Sequence, residues 1–152
     1  RIMGETLAYT LCIEPIEYEP GTWFNSAKFF DIEYQVYGNV PTKYDMFETI
    51  YWEHPQQNKS IRLVYHSDSG HIIGFNLMGI RYRQEVCIKW INESTHIETV
   101  LSNLSLANFD PEFFDRYEQE VVNIYNNLKG KKVQLTKNKK AEYALRFIKS
   151  KA

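Results

Sequence analysis

The sequence predicts an α+β domain: a four-stranded antiparallel sheet followed by helices. Two observations carry this. Residues 29–80 contain runs that alternate apolar and polar side chains, and from residue 82 onward the apolar spacing switches to the helical period. A third is the compact turn Ser67-Asp-Ser-Gly70 between two of the runs, with Gly70 available for a positive φ.

Taken in order, residues 1–12 read as the end of a helix, with Ile2, Leu7, Ala8 and Leu11 on one side. Pro15 and Pro20-Gly21 then interrupt the chain. Residues 29–37 alternate, with Phe30, Ile32, Tyr34 and Val36 on the face expected to be buried. Asp31, Glu33 and Gln35 lie on the face expected to meet solvent. Residues 47–54, 60–66 and 71–80 continue the strand pattern, and sequential antiparallel pairing is the simplest arrangement. Residues 82–93 place Val86, Trp90 and Ile91 on a helical stripe, with Arg81 and Glu85 spaced as a surface pair. Thr95-His-Ile-Glu98 has the form of a capping box ahead of Ile97, Val100, Leu101 and Leu104. Asp110-Pro-Glu112 predicts a last helix running to about Leu128, before Gly130. Ala141, Ala144, Leu145 and Ile148 are spaced for a further amphipathic turn or two.

The 152 residues suit one domain with a proper core. Aromatic residues are abundant at 15%, including eleven Tyr and nine Phe, which suits packed or stacking surfaces. No apolar run approaches the roughly 18 residues of a membrane span. The chain opens on Arg1 without a secretory pattern, as expected of a fragment of a longer cytoplasmic protein. Cys12 and Cys87 are read as reduced thiols, since no CxxC accompanies them. Charge is uneven. Residues 128–152 hold nine Lys or Arg against Glu142, a net +8, and the whole chain is −1, so the first 127 residues carry −9. That basic end is expected to be solvated or docked on the acidic body, with no nucleic acid as partner.

Catalytic signatures are missing. His54, His66, His71 and His96 show no metal-ligand spacing, so no metal is expected. His66 and His71 flank the turn and are read as cross-strand surface residues. There is no GxGxxG, GxxxxGK[ST] or GxSxG, and Cys87 has no activating base in sight. A chain rich in aromatics but without a catalytic set of its own suits completing a site built elsewhere.

The stretch Glu19–Gly38, EPGTWFNSAKFFDIEYQVYG, resembles the start of the C-terminal domain of FAD-dependent pyridine nucleotide oxidoreductases. The closer branch contains rubredoxin reductases, ferredoxin reductases and apoptosis-inducing factor. That branch enters the domain through a Pro, a Trp-Phe-Trp-Ser segment and a strand ending in Gly. Pro20, Trp23, Phe24, Ser26 and Gly38 match those places, and Asn25 stands where the second Trp would be. Residues 62–91 resemble the family's later hairpin and helix, and residues 1–12 the last helix of the preceding FAD domain. The branch that includes glutathione reductase carries a His and Glu five apart, but His54-Pro55 is followed by no such acid.

The resemblance implies three segments. Residues 1–12 would be a remnant of the FAD-binding domain. Residues 13–128 would form the reductase C-terminal domain, with its sheet in 29–80 and its helices in 82–128, and residues 129–152 would be a basic tail. It also implies FAD and NAD(P)H as cofactors of the intact enzyme, with the chain's own FAD- and NAD-binding domains as partners and a homodimer as the assembly. Trp23, Phe24 and Asn25 would be the cofactor-facing residues, and two roles stay open for Trp23 and Phe24: core packing, or lining the flavin side of the domain interface. The rival reading is a non-enzymatic protein-interaction module that uses its aromatic sheet face.

Overall fold

The computed structural model describes residues 2–42, 45–109 and 115–136. Helix α1 (Ile2–Cys12) leads to five strands, β1 (Phe24–Phe29), β2 (Ile32–Gly38), β3 (Phe47–Glu53), β4 (Ser60–His66) and β5 (Ile72–Met78). Helices α2 (Gln84–Asn92) and α3 (Ile97–Ser102), a 3-10 turn at Leu104–Leu106, and α4 (Glu118–Lys129) follow. The α+β class holds, with five strands in place of four. The added strand is β1, which pairs with β2 around a two-residue turn at Phe30-Asp31. Its sequence, Phe-Asn-Ser-Ala-Lys-Phe, shows little alternation because the strand is largely exposed at the sheet edge.

All pairings are antiparallel, but their order is β1-β2-β5-β4-β3, not sequential. After β2 the chain crosses the end of β5 and reaches the far edge before returning through β4. Gly38 makes that departure at φ 68°, and the Asn39 N–H donates to the Ile73 carbonyl at 2.8 Å. A side chain at Gly74 would sit 2.1 Å from the Asn39 carbonyl, so a bare backbone is needed where the crossing passes. The Ser67–Gly70 turn joins β4 to β5 as expected, with Gly70 at φ 69°.

Strand β2 is turned opposite to its alternation. Gln35 and Tyr37 face the helix layer and are buried, while Ile32, Tyr34 and Val36 lie on the other face, only partly covered. The reason is polar. The Tyr82 N–H donates to Gln35 Oε1 at 2.9 Å, and the Tyr37 hydroxyl donates to the Tyr82 carbonyl at 3.0 Å. Arg81 adds an ion pair to Glu33 at 3.0 Å and lies over the Phe109 ring, so its partner is not Glu85. Burial pushes the Tyr37 phenol far above its usual range, so it stays a neutral donor.

The core lies between this sheet face and the helices. Helix α2 packs on β2 and β5, α4 on β3, and α3 against α4. Tyr37, Leu63, Phe75 and Leu77 meet Cys87, Val100, Leu101, Val121 and Val122 there, all with no exposure. The N-cap of α3 is His96, whose Nδ1 accepts the Glu98 N–H at 3.3 Å, and not Thr95. The Thr95 carbonyl is drawn into the sheet by the Ile72 N–H, which moves the helix start by one residue. Helix α4 begins at Glu118, since residues 115–117 are not helical, and ends at Gly130 with φ 63°. The start signal at Asp110-Pro-Glu112 and the pattern at Ala141–Ile148 fall outside the described residues.

The end of α4 and the segment after it dock on the acidic body. Lys129 pairs with Glu48 at 2.5 Å and Lys131 with Glu98 at 3.2 Å, while Tyr65 and Tyr125 donate to the same two carboxylates. These lysine and tyrosine partners hold both carboxyl groups below their ordinary range. By contrast α1 leaves Met3, Leu7 and Leu11 exposed.

Replacing Gln35 by Leu leaves the buried Tyr82 N–H unpaired and is expected to cost about 1–3 kcal/mol. Met78→Ser on the opposite face stays within about 0.5 kcal/mol. Urea unfolding separates the two, and equal effects would contradict the face assignment. A second outcome concerns pH. A depressed carboxyl contributes stability above its unfolded value, near 4.3, which is lost as pH falls through the folded value. Thermal melts from about pH 6 to 3 should therefore fall less steeply for Glu48→Gln/Glu98→Gln than for the parent, and identical slopes would remove these pairs from the account.

Candidate functional site: a cleft on the open sheet face

Cross-strand partners share a face, so the register defines the sheet surface that carries none of the described helices. Asn25, Val36, Asn76, Arg62 and Tyr51 form one row across it. Tyr34 and Met78 occupy the next row. The surface mixes apolar and amide side chains, with the Arg62 guanidinium over the Tyr51 ring and Phe29 stacked on Tyr34.

At one end of this face lies an open cleft of about 1010 Å³. Val36, Asn76 and Ile73 from the strands form its floor, and Trp23 borders one side. His66, Asp68, Ser69 and His71, from the turn between β4 and β5, form the opposite wall. Glycine chemistry shapes the floor. Gly38 donates its N–H to the Trp23 carbonyl at 2.8 Å, which fixes the chain just ahead of β1. A Cβ at Gly38 would lie 2.2 Å from the Ile73 carbonyl, so any side chain there would push the crossing segment off the sheet.

The three sequence-designated residues separate in space. Trp23 is 57% exposed at the cleft rim. Phe24 points to the helix side and stacks on Tyr37, with ring centroids 5.1 Å apart and planes 13° from parallel. Asn25 returns to the open face, where its Nδ2 donates to the Tyr34 hydroxyl at 3.3 Å. Only Trp23 of the three borders the cleft.

Sequence reasoning passed over the histidine wall and Asn76. His66 and His71 are cross-strand neighbours, the His66 N–H donating to the His71 carbonyl at 3.0 Å. The His66 ring packs on Phe47, and His71 is exposed. Both were legible as residues flanking a turn, but nothing in the pattern placed them opposite Trp23. Asn76 sits in an apolar run with no signal of its own.

Among the described residues no cluster of His, Cys, Asp or Glu is placed to hold a metal. Burial pushes the Cys87 thiol far above its ordinary range, so it is inert as a nucleophile. No helix among them is long and apolar enough to cross a membrane. The cleft brings together an exposed indole, the Asn76 amide and two imidazoles around an open floor.

No protein-family model and no curated protein sequence matches the chain. Among solved structures it is similar to the NAD-dependent persulfide reductase from A. fulgidus, with a TM-score of 0.50 and 21% identity. The likeness covers 75% of this chain and 24% of the reductase, so this fold corresponds to about a quarter of that protein.

Trp23→Ala is expected to change the unfolding free energy by no more than about 0.5 kcal/mol. Phe24→Ala, which removes the Tyr37 stack, should cost about 1–1.5 kcal/mol. Urea titrations of the two variants test this, and an equal cost would make Trp23 a packing residue.

Proposed function

We propose that this chain is the interface domain of an NAD(P)H-dependent FAD oxidoreductase, with its open sheet face and cleft turned toward the flavin. The observation that carries the reading is the uncovered apolar surface of the open sheet face, where Trp23 at the cleft rim and Phe29 stacked on Tyr34 are both more than half exposed. Patches of this kind mark surfaces made to be covered. The fold it shares with part of an NAD-dependent persulfide reductase supports the same reading, as do the residues Pro20, Trp23, Phe24, Ser26 and Gly38 in their family places.

The residues fit part of the cofactor only. A dinucleotide needs its pyrophosphate seated at a glycine-rich helix start, and no GxGxxG occurs in the sequence. The nucleotide seats therefore belong to the neighbouring domains of the proposed enzyme. When bound, the flavin supplies the hydride chemistry. Trp23 gives that ring an apolar face and excludes water from it. Phe24 acts one step back, its stack on Tyr37 holding the start of β1 just after Trp23.

The purified chain should retain no FAD and oxidise no NADH. A stacking contact is worth about 1 kcal/mol, far below the roughly 8 kcal/mol of micromolar affinity. Expressed with its flanking nucleotide-binding domains, Trp23→Ala should slow flavin reduction about fivefold, the loss of one such contact. A yellow 152-residue chain that turns over NADH would overturn the proposal, as would a Trp23→Ala enzyme with unchanged spectrum and rate.

A further inference from the structure

The turn that walls the cleft is supported from behind by one side chain. His66, Asp68, Ser69 and His71 line the cleft. Gly70, among them, is buried although Ser67, Asp68 and Ser69 are exposed. The His96 ring lies against it: a Cβ at Gly70 would stand 2.3 Å from Nε2 and 2.6 Å from Cδ2. The other nitrogen of the same ring, Nδ1, accepts the Glu98 N–H at 3.3 Å and caps α3. Two backbone bonds flank this contact. The Ile97 N–H donates to the Gly70 carbonyl at 2.8 Å, and the Ile72 N–H to the Thr95 carbonyl at 3.0 Å.

The cap needs an unprotonated Nδ1, because only the free lone pair can accept. A proton there sets N–H against N–H and adds positive charge at the positive end of the helix. The ring is exposed, so solvent protons reach it, and imidazole is the side chain suited to change charge between about pH 5 and 8. We infer that His96 is a pH-sensitive latch on the cleft wall: the neutral ring caps α3 and holds the Ser67–Gly70 turn, and protonation releases both. A ring that leaves the Glu98 amide also leaves Gly70, and the turn loses its side-chain support. The wall then opens more readily at low pH, whatever the cleft binds. The titratable and charged groups on the elements around the ring are His66, Asp68 and His71 of the turn, Glu98 of α3, and Lys131, which pairs with Glu98 at 3.2 Å. Two of these are also imidazoles, so the test has to separate them from His96.

Amide hydrogen exchange of the 152-residue chain, followed by NMR, reads the latch at Ile97 and Glu98. Rates are taken relative to those of an unstructured amide at each pH. From about pH 8 to 5, protection at both amides should fall about fivefold as the His96 ring protons titrate, the worth of one N-cap. His96→Asn retains a capping acceptor that does not titrate, so its protection should stay level. His96→Ala should show the lowered protection already at the high-pH end. Level protection in the parent would overturn the inference. A fall that persists in His96→Asn would also overturn it, and would assign the pH response to His66 or His71. Protection in His96→Ala equal to the parent's at high pH would show that the ring holds nothing.

Discussion

The structure depends on how two backbone groups of Tyr82 are satisfied. Its N–H and carbonyl lie in the buried seam between the sheet and the helices, where an unpaired group costs about 1–3 kcal/mol. Gln35 and Tyr37, two side chains of one strand, bond to both. This constraint draws the polar side of β2 inward, against the usual sense of an amphipathic strand. The helices then settle on that side, with Tyr37 and Phe75 edge to face and Phe75 stacked on Trp90. Ile32, Tyr34 and Val36 are left on a sheet face that none of the described helices covers.

From that inversion the cleft follows. The chain leaves β2 at Gly38 and crosses β5 close enough to require Gly74, so the floor is low where the two strands end. The same glycine holds the Trp23 carbonyl, which keeps the indole at the rim. The Ser67–Gly70 turn rises opposite it. Gly70 packs on the His96 ring, and that ring caps α3. Helix layer and cleft wall are thus tied through one imidazole. Lys129 and Lys131 pair with Glu48 and Glu98, which tie α4 and the segment after it to β3 and α3.

Strands β3, β4 and β5 were legible because their alternation and the Ser67–Gly70 turn agree with their burial. Helices α2 and α3 were legible from their apolar spacing. The order of the sheet was not, because nothing local in Asn39–Thr42 records that the chain passes over β5 to the far edge. Strand β1 escaped because an exposed edge strand has no buried side to reveal. The facing of β2 was misread for a more instructive reason: Gln35 looks like a surface residue until its partner, 47 positions away, is known. Trp23 and Phe24 were both singled out by their family places; Trp23 borders the cleft, while alternation turns Phe24 to the helix side, where it stacks on Tyr37. Asn76 left no mark in the sequence, since only the register shows that it shares a cleft with an indole.

The central claim of the proposed function is that flanking domains cover the open face of this sheet. Hydroxyl-radical footprinting addresses it directly, comparing the 152-residue chain with a polypeptide that also carries the flanking nucleotide-binding domains. The account predicts that Trp23, Phe29, Tyr34 and Met78 lose most of their oxidation in the longer polypeptide, while Leu128, exposed beyond the helix layer, keeps its rate. Equal oxidation of the open-face residues in both forms would contradict it.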